Sequence, residues 1–161
     1  MVERCVRDAE VTGSNPAAPT TFPFIGTRLF NRFSPAARRV LRAAEQECRN
    51  HNHYYVGAEH MLFALLEEHD ATVEQCLRDE FVNTSDVHSE IKRALGTGDD
   101  RMWEGILVTP RVRKIVALAE SRAGENEVEP IDLFEAIRTE GGGMAAEILR
   151  RAARNSDSPT R

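Results

Sequence analysis

The sequence predicts an all-α fold: a bundle of two pseudo-twofold helical repeats, about seven helices in all, with the second repeat lacking its last helix. Three observations predict it. Two helix starts, Phe33-Ser34-Pro35-Ala36-Ala37-Arg38-Arg39-Val40 and Val108-Thr109-Pro110-Arg111-Val112-Arg113-Lys114-Ile115, lie 75 residues apart and share one pattern. After a three-residue contraction, residues 56–65 align with 128–137, and 73–77 align with 145–149 in the same register. No stretch of useful length alternates apolar and polar residues with the period of two that a half-buried strand requires. Repetition of this kind bears on architecture before any single residue does.

Each repeat opens on a hydroxyl residue able to cap the first-turn amides. A Pro follows at the first helical position, where its missing N–H costs nothing. The first helix is expected over 35–49, with Ala37, Val40, Leu41, Ala44 and Cys48 on one face. A short loop over 51–57 leads to a helix over 58–68 that buries Met61, Leu62, Leu65 and Leu66. Phe63 falls off that stripe and is expected to be exposed. A third helix over 71–80 turns Val73, Cys76 and Leu77 inward. Asn83, Thr84 and Ser85 offer a cap for a fourth, which carries Val87, Ile91 and Leu95 at i, i+4, i+8 and stops at Gly96. The second repeat predicts helices over 110–123, 130–140 and 144–154, the last two parted by Gly141, Gly142 and Gly143. The expected organisation is a tail over 1–27, a double-repeat domain over 28–155 and a polar tail over 156–161. Within the domain, repeat one covers 33–96, a Gly- and Asp-rich linker 97–107 and repeat two 108–154. Trp103 in that linker is a candidate to dock where the missing helix would have packed.

Residues 1–27 show no sustained period and read as disordered. The string Gly13-Ser14-Asn15-Pro16 is also what the T-arm of a transfer RNA gene would encode in one frame, so a start-site artefact is the competing account.

Composition excludes several classes. The chain has 161 residues, 41% hydrophobic and 29% charged, and a net charge of −5. Residues 33–96 hold 11 acidic and 7 basic groups and residues 108–154 hold 8 of each, so neither half carries the basic excess of a nucleic-acid footprint. The 19 Arg against 2 Lys reflect GC-rich coding more simply than a guanidinium-based site. No apolar run approaches the ~20 residues that span a bilayer, and no secretory signal is visible. Three cysteines argue against a disulfide framework, and Cys48 and Cys76 fit apolar helical faces as reduced core residues. The expected compartment is the cytoplasm.

Residues 33–41, Phe-Ser-Pro-Ala-Ala-Arg-Arg-Val-Leu, followed by His-Tyr-Tyr-Val-Gly-Ala-Glu-His-Met-Leu over 53–62, resemble the Clp amino-terminal repeat domain. The second repeat is similar at 108–114 and 141–149, and the resemblance spans roughly 32–154. It implies a pseudo-twofold bundle that receives substrates or adaptor proteins ahead of AAA+ motor modules. The sequence contains no G-x-x-x-x-G-K-[ST] phosphate loop. The expectation is therefore a stand-alone recognition module, without catalysis or cofactor, that binds polypeptide clients or an adaptor.

In the ClpC branch the resemblance also implies a phosphoarginine pocket. A hydroxyl at the helix start suits the phosphate and the Glu of the second helix suits the guanidinium. Ser34 and Glu59 match those positions in repeat one. Thr109 matches the hydroxyl in repeat two, but Ile131 stands where the Glu would be, which confines the inherited site to the first half. The plainer account is that Ser34 and Thr109 are caps and Glu59 a first-turn carboxylate. His51, His53, His60 and Glu59 form a tempting metal cluster, but no H-E-x-x-H is present, and Glu59 and His60 are expected about 100° apart on a helix. A metal-dependent hydrolase is the weakest alternative. The other is a regulatory partner that packs on a Clp ATPase or on its own copies through an apolar strip left open by the missing helix.

Overall fold

A computed structural model describes residues 32–98 and 107–156. It has seven helices there: α1 (Pro35–Asn50), α2 (Ala58–Glu67), α3 (Ala71–Asp79), α4 (Thr84–Leu95), α5 (Pro110–Ala123), α6 (Pro130–Glu140) and α7 (Gly143–Ser156). Two dipeptides, β1 (Tyr55–Val56) and β2 (Leu107–Val108), form a minimal parallel pair. The 1–27 tail, Trp103 and residues 157–161 lie outside the described residues.

Local chemistry sets the helix starts. Ser34 Oγ accepts from the Ala37 amide at 3.2 Å, and Thr109 Oγ1 accepts from Val112 at 3.3 Å. Asp70 caps α3 by accepting from the Thr72 and Val73 amides, and Asn83 caps α4 through Ser85. Each cap answers one or two of the orphan amides of a helix start, worth about 1 kcal/mol.

Each repeat begins as an antiparallel helical hairpin. Arg39, early in α1, pairs with Glu68, just past α2. Lys114 pairs with Glu140 at 3.3 Å and does the same between α5 and α6. These are equivalent positions in the aligned repeats, so even a surface ion pair follows the duplication.

The repeats are joined by exchanged pairing. Phe33, before α1, bridges to Val128, before α6, while Val56, before α2, pairs with Val108, before α5. The Ser34 amide donates to Val128 O at 3.0 Å and the Thr109 amide donates to Val56 O at 3.2 Å. Thus the first helix of each repeat starts beside the second helix of the other. Phe33 and Val128 are fully buried at this seam. Burying a side chain of Phe33's size contributes about 1.5–3 kcal/mol, more than the backbone bonds beside it.

One core fills the bundle, with Met61, Leu62, Leu65, Ile91, Ile115, Leu133, Phe134 and Ile137 almost wholly buried. Cys48 is part of it; its thiol lies 3.1 Å from the carbonyls of His53 and Tyr55, and burial pushes its pKa up to about 12. Cys76 is partly buried, packed against that core. Phe63 corrects its expectation: it is only 5% exposed, because α4 crosses α2 and lays the His88 ring 4.4 Å from the Phe63 ring.

The open apolar strip needs correcting too. Glu135 and Arg138 of α6 stand where Phe63 and Leu66 stand on α2. Arg138 is tied to Glu80 at 2.5 Å and to Glu135 at 2.9 Å. Among the described residues this face is a groove with an apolar floor and a charged rim.

Candidate functional site

The antiparallel hairpin separates Ser34 from Glu59. Ser34 opens α1 and therefore lies toward the far end of α2, where Arg39 meets Glu68. Glu59 lies at the near end of α2, about nine helical residues or ~13 Å along the axis from Glu68. The exchanged seam instead brings Thr109 to the turn that holds Glu59. The expected grouping of Ser34 with Glu59 within one repeat is thus replaced by two composite ends, each built from both repeats.

At one end Ser34 meets Glu129. Ser34 Oγ donates to Glu129 Oε2 at 2.7 Å while accepting from the Ala37 amide, and the serine is only 3% exposed. Hydroxyl proton and carboxylate are committed to each other. Sequence alignment hid this pair because the repeat-two carboxylate sits at position 129, two residues before Ile131. The signal was present: Glu129 precedes Pro130, at the cap position of α6.

At the other end Thr109 Oγ1 accepts from the Val112 amide, and its own proton has no acceptor among the described residues. The Thr109 amide is bonded to Val56, one residue before Gly57. The Glu59 side chain folds back over Gly57, where any Cβ would collide with its carboxylate. The absent side chain of Gly57 leaves the carboxylate the space that the Glu129 side chain takes at the other end. Glu59 Oε1 comes within 3.7 Å of His60 Nδ1, closer than the 100° helical separation suggests. It accepts no hydrogen bond among the described residues. Arg113, one turn into α5, is exposed. A hydroxyl at a helix start with its proton free among the described residues, and a half-buried carboxylate, can receive a ligand bearing both anionic and cationic groups.

His60 is fully buried and supports this turn from below. Its Nδ1 accepts from the Gly57 amide at 3.1 Å, so the proton sits on Nε2 and is donated to His53 Nδ1 at 2.8 Å. Burial, then the neighbouring His53 and His51, push its pKa down to about 3. Burial also lowers His53. Both His60 nitrogens are engaged, so this imidazole offers no lone pair to a metal. His51 Nδ1 meets Gly96 O. In repeat two Asp132 takes the part of His60, accepting from the Glu129 amide at 3.0 Å.

The Clp repeat (R) N-terminal domain family matches residues 32–152, and the chain belongs to that family. It is 28% identical over 157 residues to a tomato (Solanum lycopersicum) chloroplastic ClpA-homologue ATP-binding subunit of the ATP-dependent Clp protease, covering 92% of this chain and 17% of the relative. It is 30% identical over 129 residues to the chloroplastic chaperone protein ClpC of pea (Pisum sativum), covering 78% of this chain and 14% of the relative. The chain therefore spans about a sixth of the length of such relatives. Among solved structures, a chain from an investigation of a malarial protein secretion system superposes with TM-score 0.63 at 19% identity, covering 75% of this chain and 84% of that one. A chain from work on the ATPase ClpV, the TssB-TssC sheath and the accessory HsiE protein of type VI secretion gives 0.58 at 21% identity, covering 82% and 81%. Both show the fold alone. No helix among the described residues is long and apolar enough to cross a membrane.

Proposed function

We propose that this Clp N-type domain is a recognition module of the Clp protease and chaperone system, binding substrate polypeptides or an adaptor protein, and that its ligand site is the seam between Thr109 and Glu59. The observation that carries the proposal is the contrast between the two ends. Ser34 and Glu129 satisfy each other, whereas among the described residues Thr109 has a hydroxyl proton to donate and Glu59 a carboxylate that accepts no hydrogen bond. A phosphoarginine side chain is the ligand that this pair complements. Its phosphate suits the Thr109 hydroxyl and the amide end of α5, and its guanidinium suits the planar acceptor Glu59. Membership of the family supports the general role, and the cytoplasm is the compartment assumed; both plant relatives are named as chloroplastic. Binding without catalysis fits the site, where the buried His60 is neutral and the Cys48 thiol is held protonated.

Isothermal calorimetry with a phosphoarginine peptide and its unmodified twin tests the proposal. The expected result is binding of the modified peptide, weakened about tenfold or more by Glu59→Ala and by Thr109→Val and little changed by Ser34→Ala. Equal affinity for both peptides, or a loss caused by Ser34→Ala alone, overturns it.

A further inference from the structure

The two imidazoles beneath the Gly57 turn are each held to one tautomer by their partners. The Gly57 amide donates to His60 Nδ1 at 3.1 Å, so His60 carries its proton on Nε2. That proton is donated to His53 Nδ1 at 2.8 Å, so His53 keeps a lone pair there and its own proton on Nε2. His60 is fully buried and His53 half-buried, so solvent protons reach this chain of bonds at His53. A second proton on His53 would set two N–H groups against each other at 2.8 Å. The rings must then part, or His60 must move its proton to Nδ1, where it opposes the Gly57 N–H. Either outcome removes a bond that holds the turn. His51 differs. Its Nδ1 meets Gly96 O and its Nε2 lies 3.4 Å from Glu47 Oε2, two acceptors, so a second proton there breaks nothing.

We propose that His53 is a proton-operated positioning residue of the Thr109–Glu59 seam: neutral, it locks the Gly57 turn through His60, and protonated, it releases the turn and weakens ligand binding. The proposal rests on the reading of Thr109 and Glu59 as the ligand pair. Two contacts carry the effect from the turn to the seam. The Glu59 carboxylate lies over Gly57, and Val56, the preceding residue, accepts from the Thr109 amide at 3.2 Å. A carboxylate and a hydroxyl that receive one ligand together must be held in place beforehand, so loosening the turn misplaces both. The surrounding groups set the working range. Burial first, then His51, hold His53 below the ordinary 6.5, and Glu59 opposes them. The Tyr55 ring stacks on His53 at 5.7 Å, the Cys48 thiol lies against the His53 carbonyl, and Glu47 stands behind His51. The described residues that border the pair from the end of α4 and from β2, 96–98 and 107–108, carry no titratable side chain. A histidine that must stay neutral to hold a structure contributes fully above its ordinary pKa and is lost as pH falls. Affinity is therefore complete near neutrality and fades in mild acid.

The test follows the full chain by NMR and calorimetry from about pH 7.5 down to about pH 5.5. Imidazole nitrogen spectra should show His60 protonated on Nε2 at the upper pH. The Gly57 amide should shift and lose protection from exchange with a midpoint that coincides with titration of the His53 ring. His53→Asn keeps an acceptor for His60 but takes no proton, so its Gly57 amide should not respond. The binding probe is a phosphoarginine peptide. Its affinity for the native chain should fall about tenfold further over this range than its affinity for His53→Asn, a comparison that cancels titration of the peptide and of Glu59. Circular dichroism at each pH confirms folding, and the Gly57 and His53 titrations of the native chain decide the matter if His53→Asn does not fold. His60 protonated on Nδ1 at the upper pH, a Gly57 amide indifferent to titration of His53, or parallel affinity profiles for the two chains overturns the proposal. No peptide binding at any pH with the Gly57 response intact overturns the ligand reading and supports the switch at the turn.

Discussion

At one end of the seam a serine hydroxyl and a glutamate carboxylate are bonded to each other; at the other a threonine hydroxyl and a glutamate carboxylate share a turn without being bonded. The scaffold around them is the same. A hydroxyl caps the first helix of one repeat, and its amide is stitched to the strand residue before the second helix of the other. The difference is where the carboxylate is attached. Glu129 sits at the helix cap and reaches Ser34 directly, whereas Glu59 sits two residues later and folds back over Gly57. Shifting the carboxylate by two positions turns a structural cross-link into a hydroxyl and a carboxylate that are not bonded to each other among the described residues.

The support beneath the two turns separates them most strongly, so exchanging it should give the largest effect. His60→Asp copies repeat two but removes the bond to His53 and buries a carboxylate. A loss on the order of 5 kcal/mol in urea unfolding is expected. Asp132→His, in the more open turn, should cost less than about 1 kcal/mol. Equal losses would erase the distinction between the halves.

Acid should weaken the first turn selectively. His60 has a folded pKa near 3 against an ordinary value of 6.5, so the unfolded chain binds the extra proton between those values. Its contribution is complete above about pH 6.5 and fades as pH falls toward 3, by an amount on the order of 4 kcal/mol. Stability followed by urea titration at several pH values checks this. His60→Gln should flatten the slope in that window, and an unchanged slope would assign the acid sensitivity elsewhere.

The hydroxyls give the next effect. Ser34→Ala removes a cap and leaves Glu129 without its donor, and should cost about 2 kcal/mol. Thr109→Ala removes a cap alone and should cost about 1 kcal/mol. Thermal denaturation of both variants ranks them, and the reverse ranking would contradict the committed-versus-open contrast. The smallest effect belongs to the exposed ion pairs that mark the duplication. Arg39→Ala and Lys114→Ala should each change stability by less than about 0.5 kcal/mol, because exposed pairs are screened by water.

Helix positions were legible in the sequence because their causes are local. Ser34-Pro35 and Thr109-Pro110 announce caps, Gly96 and Gly141 announce stops, and Val87, Ile91 and Leu95 share a face by spacing alone. The duplication, and with it the family, was legible as well, since aligned residues report their common ancestry without coordinates. Three features were not. Phe63 lies off the inward stripe of its own helix and is buried only because α4 crosses over it. The charged rim at Glu135 and Arg138 has meaning only beside the α4 seat it mirrors. Ser34 and Glu59 share a repeat in the sequence, yet the antiparallel α1–α2 hairpin holds them at opposite ends.

The sequence by itself thus determined the elements, their order and the fact of two related halves, because capping, glycine stops and periodicity act within a few residues. Tertiary structure alone decided which hydroxyl meets which carboxylate. Those partners lie in different repeats, and what joins them is the exchanged pairing of Phe33 with Val128 and of Val56 with Val108, a long-range contact fixed by burial of the common core.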